Sequence, residues 1–136
     1  MCINGEIKHR TTNYTNTFIE VAEDCPAKTA IAPPAKEPKS VVRAQFEMIA
    51  GNPYRYTSDD VLYETMGYPK GLSRVQFFGK SQPCLRASVL LKRYGWGIHN
   101  DSDGKIAIYA VESEDYKRLS ASGDVSHLRA MRNRGK

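Results

Sequence analysis

Between Thr15 and Val21 the chain alternates with the two-residue period of a strand, Thr15, Thr17, Ile19 and Val21 against Asn16, Phe18 and Glu20. Phe18 and Ile19 fall on opposite sides, so the pattern leaves open which face is buried. Residues 26–39 hold four of the seven prolines and predict an extended, irregular connection. From Ser40 the period lengthens. Val42, Phe46 and Ile49 recur at helical spacing and predict a helix over 40–50, stopped by Gly51 and Asn52-Pro53. Thr57 and Asp60 have the spacing of a capping box, in which each side chain satisfies the other's free backbone N–H. They open a second helix with Val61, Leu62 and Met66 on its apolar side and Gly67 at its end. Ser73 and Gln76 repeat the box, with Leu72 and Phe77 placed to close over it as a hydrophobic staple. A helix over 87–94 puts Ala87, Leu91 and Tyr94 on one face and stops at Gly95. Residues 96–99 and 106–111 flank an Asn100-Asp101-Ser102-Asp103-Gly104 turn and predict an antiparallel hairpin. Ser113, followed by Glu114 and Asp115, caps another helix that Gly123 closes, and Asp124 to Met131 are expected to form a last one.

This order of elements predicts an α+β fold: a small antiparallel sheet of about three strands, with four to five helices packed mainly on one face. The 106–111 strand is expected at its centre, between 96–99 and 15–21. A flexible leader over 1–12, a single domain over 13–132 and a basic tail over 133–136 complete the expected organisation. A chain of 136 residues buries about two-thirds of the surface it exposes when unfolded, so it needs no staple to fold. Its three cysteines, Cys2, Cys25 and Cys84, are odd in number and form no C-x-x-C, which argues for reduced thiols and a cytoplasmic location. No stretch has the length of a signal peptide's apolar core or of a membrane span, so no membrane partner is expected.

Charge changes the picture more by placement than by amount. The net charge is +5, yet from Thr65 to Asn100 there is no Asp or Glu, while Lys70, Arg74, Lys80, Arg86, Lys92 and Arg93 all lie there. Such asymmetry marks an anion-binding surface, or basic and acidic segments that pair within the fold. The acidic turn fails as a calcium loop: with Gly104 at the sixth position, the first and twelfth fall on His99 and Ala110. His9, His99 and His127 have no metal-ligand spacing, and neither phosphate-loop glycine motif is present, so no metal and no cofactor is expected. Helix capping accounts for Asp59 and Asp60 without acid–base chemistry. Tyr54 and Tyr56, flanking Arg55, either pack between helices or stack on a base or sugar.

The candidate ligand-binding residues are therefore Cys84, Arg86, Ser88, Lys92, Arg93, Trp96 and His99. Arg86 and Arg93 are two helical turns apart on the expected 87–94 helix, and Arg86 and Ser88 lie near its N-terminus, where free N–H groups favour anions. A non-enzymatic domain binding an anionic small molecule or partner follows from this grouping. The plainer alternative pairs Arg86 and Arg93 with Asp59, Asp60, Glu64 or Glu112 and buries Trp96 in the core. Two further functions stay open. One is an enzyme using Cys84 and His99 as nucleophile and base in the same cleft. The other is a nucleic-acid-binding protein using the basic tail and the acid-free segment, ranked lower because no nucleic-acid motif is present.

The segments L-R-A-S-V-L-L-K-R-Y-G-W-G-I-H (85–99), Y-T-S-D-D-V-L-Y-E-T (56–65), N-Y-T-N-T-F-I-E-V-A-E-D-C-P-A (13–27) and I-A-I-Y-A-V-E-S (106–113) carry a resemblance. From about Asn13 to Arg132 the chain resembles a family of small bacterial proteins catalogued as a domain of unknown function. The resemblance implies a stand-alone bacterial protein. Proline at the position of Val89 in such relatives implies a first helical turn that opens near Ser88. It implies no activity, cofactor or catalytic residue.

Overall fold

The computed structural model describes residues 10–133. It has four strands, β1 (Thr17–Glu20), β2 (Trp96–Asn100), β3 (Ile106–Ala110) and β4 (Ser126–Arg129). The α-helices are α1 (Val41–Ala50), α2 (Ser58–Leu62), α3 (Arg74–Phe78), α4 (Val89–Lys92) and α5 (Glu114–Ala121). The sheet order is β3-β2-β1-β4. β2 and β3 form the expected antiparallel hairpin, with Ile98 opposite Ile108. β1 joins β2 antiparallel, and β4 lies parallel to β1. The fold is thus α+β with a mixed four-stranded sheet, not an antiparallel sheet of about three strands.

Three expectations are corrected, each for a physical reason. The 106–111 strand lies at the edge of the sheet. The chain at 54–57 takes its outer side, with Tyr54 N–H donating to Ile106 O at 2.8 Å and Ile106 N–H to Tyr56 O at 2.9 Å. Within the 124–131 stretch, Ser126–Arg129 form a strand, and no helix forms there. Val125, Leu128 and Met131 do recur at helical spacing, but the backbone at 126–130 is satisfied by β1 through Ser126 N–H to Asn16 O and Ala130 N–H to Glu20 O. Arg129 then faces Glu20 across the pair at 3.6 Å. Finally, helices cover both sheet faces. Ile19, Ile98 and Ile106 pack with Ile49, Val61, Phe78 and Leu90 on one side, while Phe18 meets Tyr116 and Leu119 of α5 on the other. Both neighbours in β1 are therefore buried, which is why their alternation pointed to neither face.

Local signals act where they stand in the sequence. Ser40, Thr57, Ser73 and Ser113 each accept a hydrogen bond from a backbone N–H of the first turn, and both capping boxes are complete. α2 runs on into a single π-helical turn, Tyr63–Gly67. The proline-rich connection lies across the α1 and β2 ends, with Arg43 Nη1 donating to Pro33 O and Trp96 Nε1 to Ile31 O.

The expected leader divides at the limit of the described residues. Its residues 1–9 lie outside them, while Thr11 and Thr12 dock on Asp59. The buried Asp59 carboxylate accepts from Thr11 Oγ1 at 2.8 Å and from Thr12 N–H and Oγ1 at 2.7 Å each. Only Asp60 of the acidic pair works as a cap. Residues 134–136 of the expected tail also lie outside the described residues. Asn133 is tied to the Asp24 carboxylate by its backbone and side-chain N–H groups.

Candidate functional site

The expected 87–94 helix is broken at its start. Leu85–Ala87 form a 3-10 turn, Ser88 is extended at φ −69° and ψ 137°, and α4 begins only at Val89. Arg93 closes that helix at φ −133°. Arg86 and Arg93 therefore do not share a helix, and the two-turn spacing does not bring them to one face. Arg86 turns to β4 instead, its Nε donating to Arg129 O at 2.7 Å while its own carbonyl receives Met131 N–H. None of Arg86, Lys92 and Arg93 forms an ion pair among the described residues.

The break at Ser88 opens a cleft. Between the 83–89 segment, α1 and the α2–π-helical stretch lies a space of about 260 Å³. Val41, Val42 and Gln45 line one wall and Leu62 and Met66 the second. Pro83, Cys84, Leu85, Ala87, Ser88 and Val89 form the third. No lining side chain is charged. Its polar centre is Gln45, only 4 % exposed, whose Oε1 accepts from Ser88 Oγ at 2.9 Å. Gln45 Nε2 reaches Thr65 Oγ1 at 3.5 Å, and Thr65 donates onward to Val61 O at 2.8 Å. Cys84 Sγ lies 3.6 Å from the Tyr14 hydroxyl. Burial, then the Cys84 contact, raise the Tyr14 pKa above its ordinary value, and the Arg86 guanidinium pulls it the other way.

Of the seven sequence candidates, only Cys84 and Ser88 line this cleft. Trp96 packs against Phe46 with ring centroids 5.4 Å apart and has its indole N–H committed to Ile31. His99 points to the opposite face of the sheet, the one that α5 covers, and no hydrogen bond joins it to Cys84. There Tyr54 Oη lies 2.8 Å from His99 Nδ1 and 2.7 Å from Tyr109 Oη. Tyr54 holds a left-handed φ of 60°, a conformation costing a bulky residue about 1 kcal/mol or more, against which its hydrogen bonds act. Burial lowers the His99 pKa, Asp101 opposes that shift and Arg118 of α5 adds to it. The folded state thus favours neutral imidazole. As pH falls below the ordinary imidazole value the unfolded chain takes the proton first, so stability drops over that window. Thermal unfolding between about pH 7 and about pH 5 is expected to show a downward slope that His99→Gln reduces.

A second, wider hollow of about 590 Å³ lies among Met48, Arg55, Tyr56, Asp60, Glu64 and Arg74. It is larger but less suited to a ligand. Arg74 already pairs with Asp60 at 3.2 Å and lies over the Tyr63 and Phe78 rings. Among the described residues no three His, Cys, Asp or Glu side chains group to hold a metal ion, and no helix is long and apolar enough to cross a membrane.

Sequence reasoning missed Gln45, the residue at the cleft's centre. Its signal was present: a polar side chain three residues after Val42 and four before Ile49, on the apolar stripe of α1. Tyr14 and Tyr54 carried no comparable signal, because their partners lie 70 and 45 residues away.

No curated protein and no solved structure matches the chain. One family model does, and it spans residues 9–136. The chain therefore belongs to the family described as "Family of unknown function (DUF6157)".

Proposed function

We propose that this protein is a small-molecule-binding domain, and that the cleft between α1, the π-helical turn and the 83–89 segment is its site. The observation that carries the reading is an uncharged, open apolar cleft built around one enclosed amide–hydroxyl pair, Gln45 and Ser88. Ligand sites combine an apolar wall with a few placed polar groups in this way. Val41 and Val89 on its walls remain 46 % and 40 % exposed, so an occupant would remove apolar surface from water. The volume exceeds the ~150 Å³ of a cavity that holds benzene and falls near the lower end of drug-sized pockets, which suits a ligand of about ten non-hydrogen atoms.

Binding is favoured over catalysis because, among the described residues, the hydrogen-bond partner of Cys84 is a phenol and not an imidazole or carboxylate. The charges of Arg86, Lys92 and Arg93, without ion pairs among the described residues, support an anionic group at the surface and not inside the cleft. A cytoplasmic, bacterial binding protein is consistent with the reduced cysteines and the family resemblance.

The test uses Ala87→Leu, which fills the cleft from its wall. Acetophenone at millimolar concentration is expected to raise the unfolding midpoint of the wild type by a few degrees and to leave the variant's unmoved. The variant itself should melt within about 3 °C of the wild type. An equal response in both proteins, or no response in the wild type, contradicts the assignment.

A further inference from the structure

The geometry points to a neutral carbonyl oxygen as the group this cleft reads, with Gln45 as the residue that determines specificity. The inference rests on the cleft being a binding site, and its support is an accounting of protons. Ser88 Oγ accepts the Leu90 N–H at 3.2 Å and gives its one proton to Gln45 Oε1. Thr65 Oγ1 gives its one proton to Val61 O. Turning the Gln45 amide over would set Oε1 against Thr65, an oxygen with no proton left to give. The amide N–H₂ group therefore faces Thr65, and Gln45 itself is a lining residue of the cleft. One of its two N–H bonds has only a contact at 3.5 Å, the limit of hydrogen bonding, and the other has no partner among the described residues.

In a side chain 4 % exposed, an amide donor held by one long contact gains from a further acceptor. Inside an apolar wall the completing group is an acceptor oxygen on an otherwise apolar molecule. Charge then separates the acceptors. The lining itself carries no cation; the guanidinium beside it, Arg86, has its Nε held by Arg129 O and otherwise acts on the Tyr14 hydroxyl behind Cys84. A carboxylate at Gln45 would have no cation among the lining side chains and would keep its water instead. A ketone, ester or amide carbonyl meets no such penalty.

Acetophenone, ethylbenzene and benzoate share a shape and differ in that one group. Their affinities for the wild-type protein and for Gln45→Met, which keeps side-chain length and removes the amide, are measured by titration of ¹H–¹⁵N spectra. In the variant, acetophenone is expected to bind about tenfold more weakly, while ethylbenzene stays within about twofold. In the wild type, acetophenone should shift the Gln45 side-chain amide signals, ethylbenzene should not, and benzoate should bind more weakly than acetophenone. The wild-type comparison stands even if Gln45→Met fails to fold. Equal losses for ketone and hydrocarbon, silent Gln45 amide signals, or benzoate as the tightest ligand would overturn this inference and leave the cleft as a binding site. If none of the three binds, the cleft reading falls and takes the inference with it.

Discussion

Asp59→Ala is expected to destabilise the protein by about 3 kcal/mol or more, which lowers the unfolding midpoint by about 10 °C. The carboxylate is 2 % exposed and accepts three hydrogen bonds from Thr11 and Thr12. Ser58 Oγ completes the arrangement by donating to Thr12 Oγ1, whose own proton goes to Asp59. Removing the carboxylate leaves the buried Thr12 N–H without its acceptor and takes away the three bonds that hold Thr11 and Thr12, so that only Asn13 and Ser58 still tie this stretch to the start of α2. Hydrogen bonds to a charged group contribute about 1.5–3 kcal/mol each, so the loss is far larger than at the neighbouring acid. Asp60→Ala removes half of a capping box and a partly exposed ion pair with Arg74, for which about 1 kcal/mol is expected. Denaturant unfolding of both variants checks the difference. Equal and small effects would mean that residues 10–13 are not held by Asp59.

Gly97→Ala should cost about 2–3 kcal/mol through overpacking. Gly97 lies in β2 on the face that α5 covers. A Cβ there would stand 2.7 Å from Tyr116 Cε2, 3.1 Å from Ile19 O and 3.1 Å from Phe18 Cζ. The Ile19 carbonyl belongs to the neighbouring strand and cannot move without breaking the ladder, so Tyr116 must retreat. That movement breaks the bond from Val21 N–H to the Tyr116 hydroxyl, now 3.0 Å, and loosens α5 from the sheet. Faster amide exchange in α5, with α1 unaffected, is the expected signature. Gly123→Ala is the control, because nothing stands within 4 Å of its added carbon.

Legibility in the sequence followed the range of the interaction. Capping boxes at Thr57 and Ser73 and the caps at Ser40 and Ser113 involve residues three apart, and each forms where its pattern stands. The hairpin was legible for the same reason. Strand order was not, because it depends on contacts such as Thr17 with Asn100 and Ile19 with Leu128, more than 80 residues apart. β4 was hidden by its composition, since only Leu128 of its four residues faces the main core. The candidate site was legible by half. Cys84, Leu85 and Ala87 to Val89 do form a wall of the cleft, but the arginines were grouped by a helix that Ser88 interrupts. The first helical turn near Ser88 that the family resemblance implies is the sign of that interruption in the sequence. Trp96 and His99 are three apart in a strand, so they leave on opposite faces, and no helical reading of the segment could join them.

The central claim, that the 41–45, 62–66 and 83–89 walls enclose a ligand site, is tested most directly by mapping where a small probe acts. Acetophenone added to ¹⁵N-labelled protein should shift signals from those three segments alone, in a saturable manner. Shifts centred on Tyr54, His99 and Tyr109 or on Arg93, or shifts that grow without saturation, would contradict it.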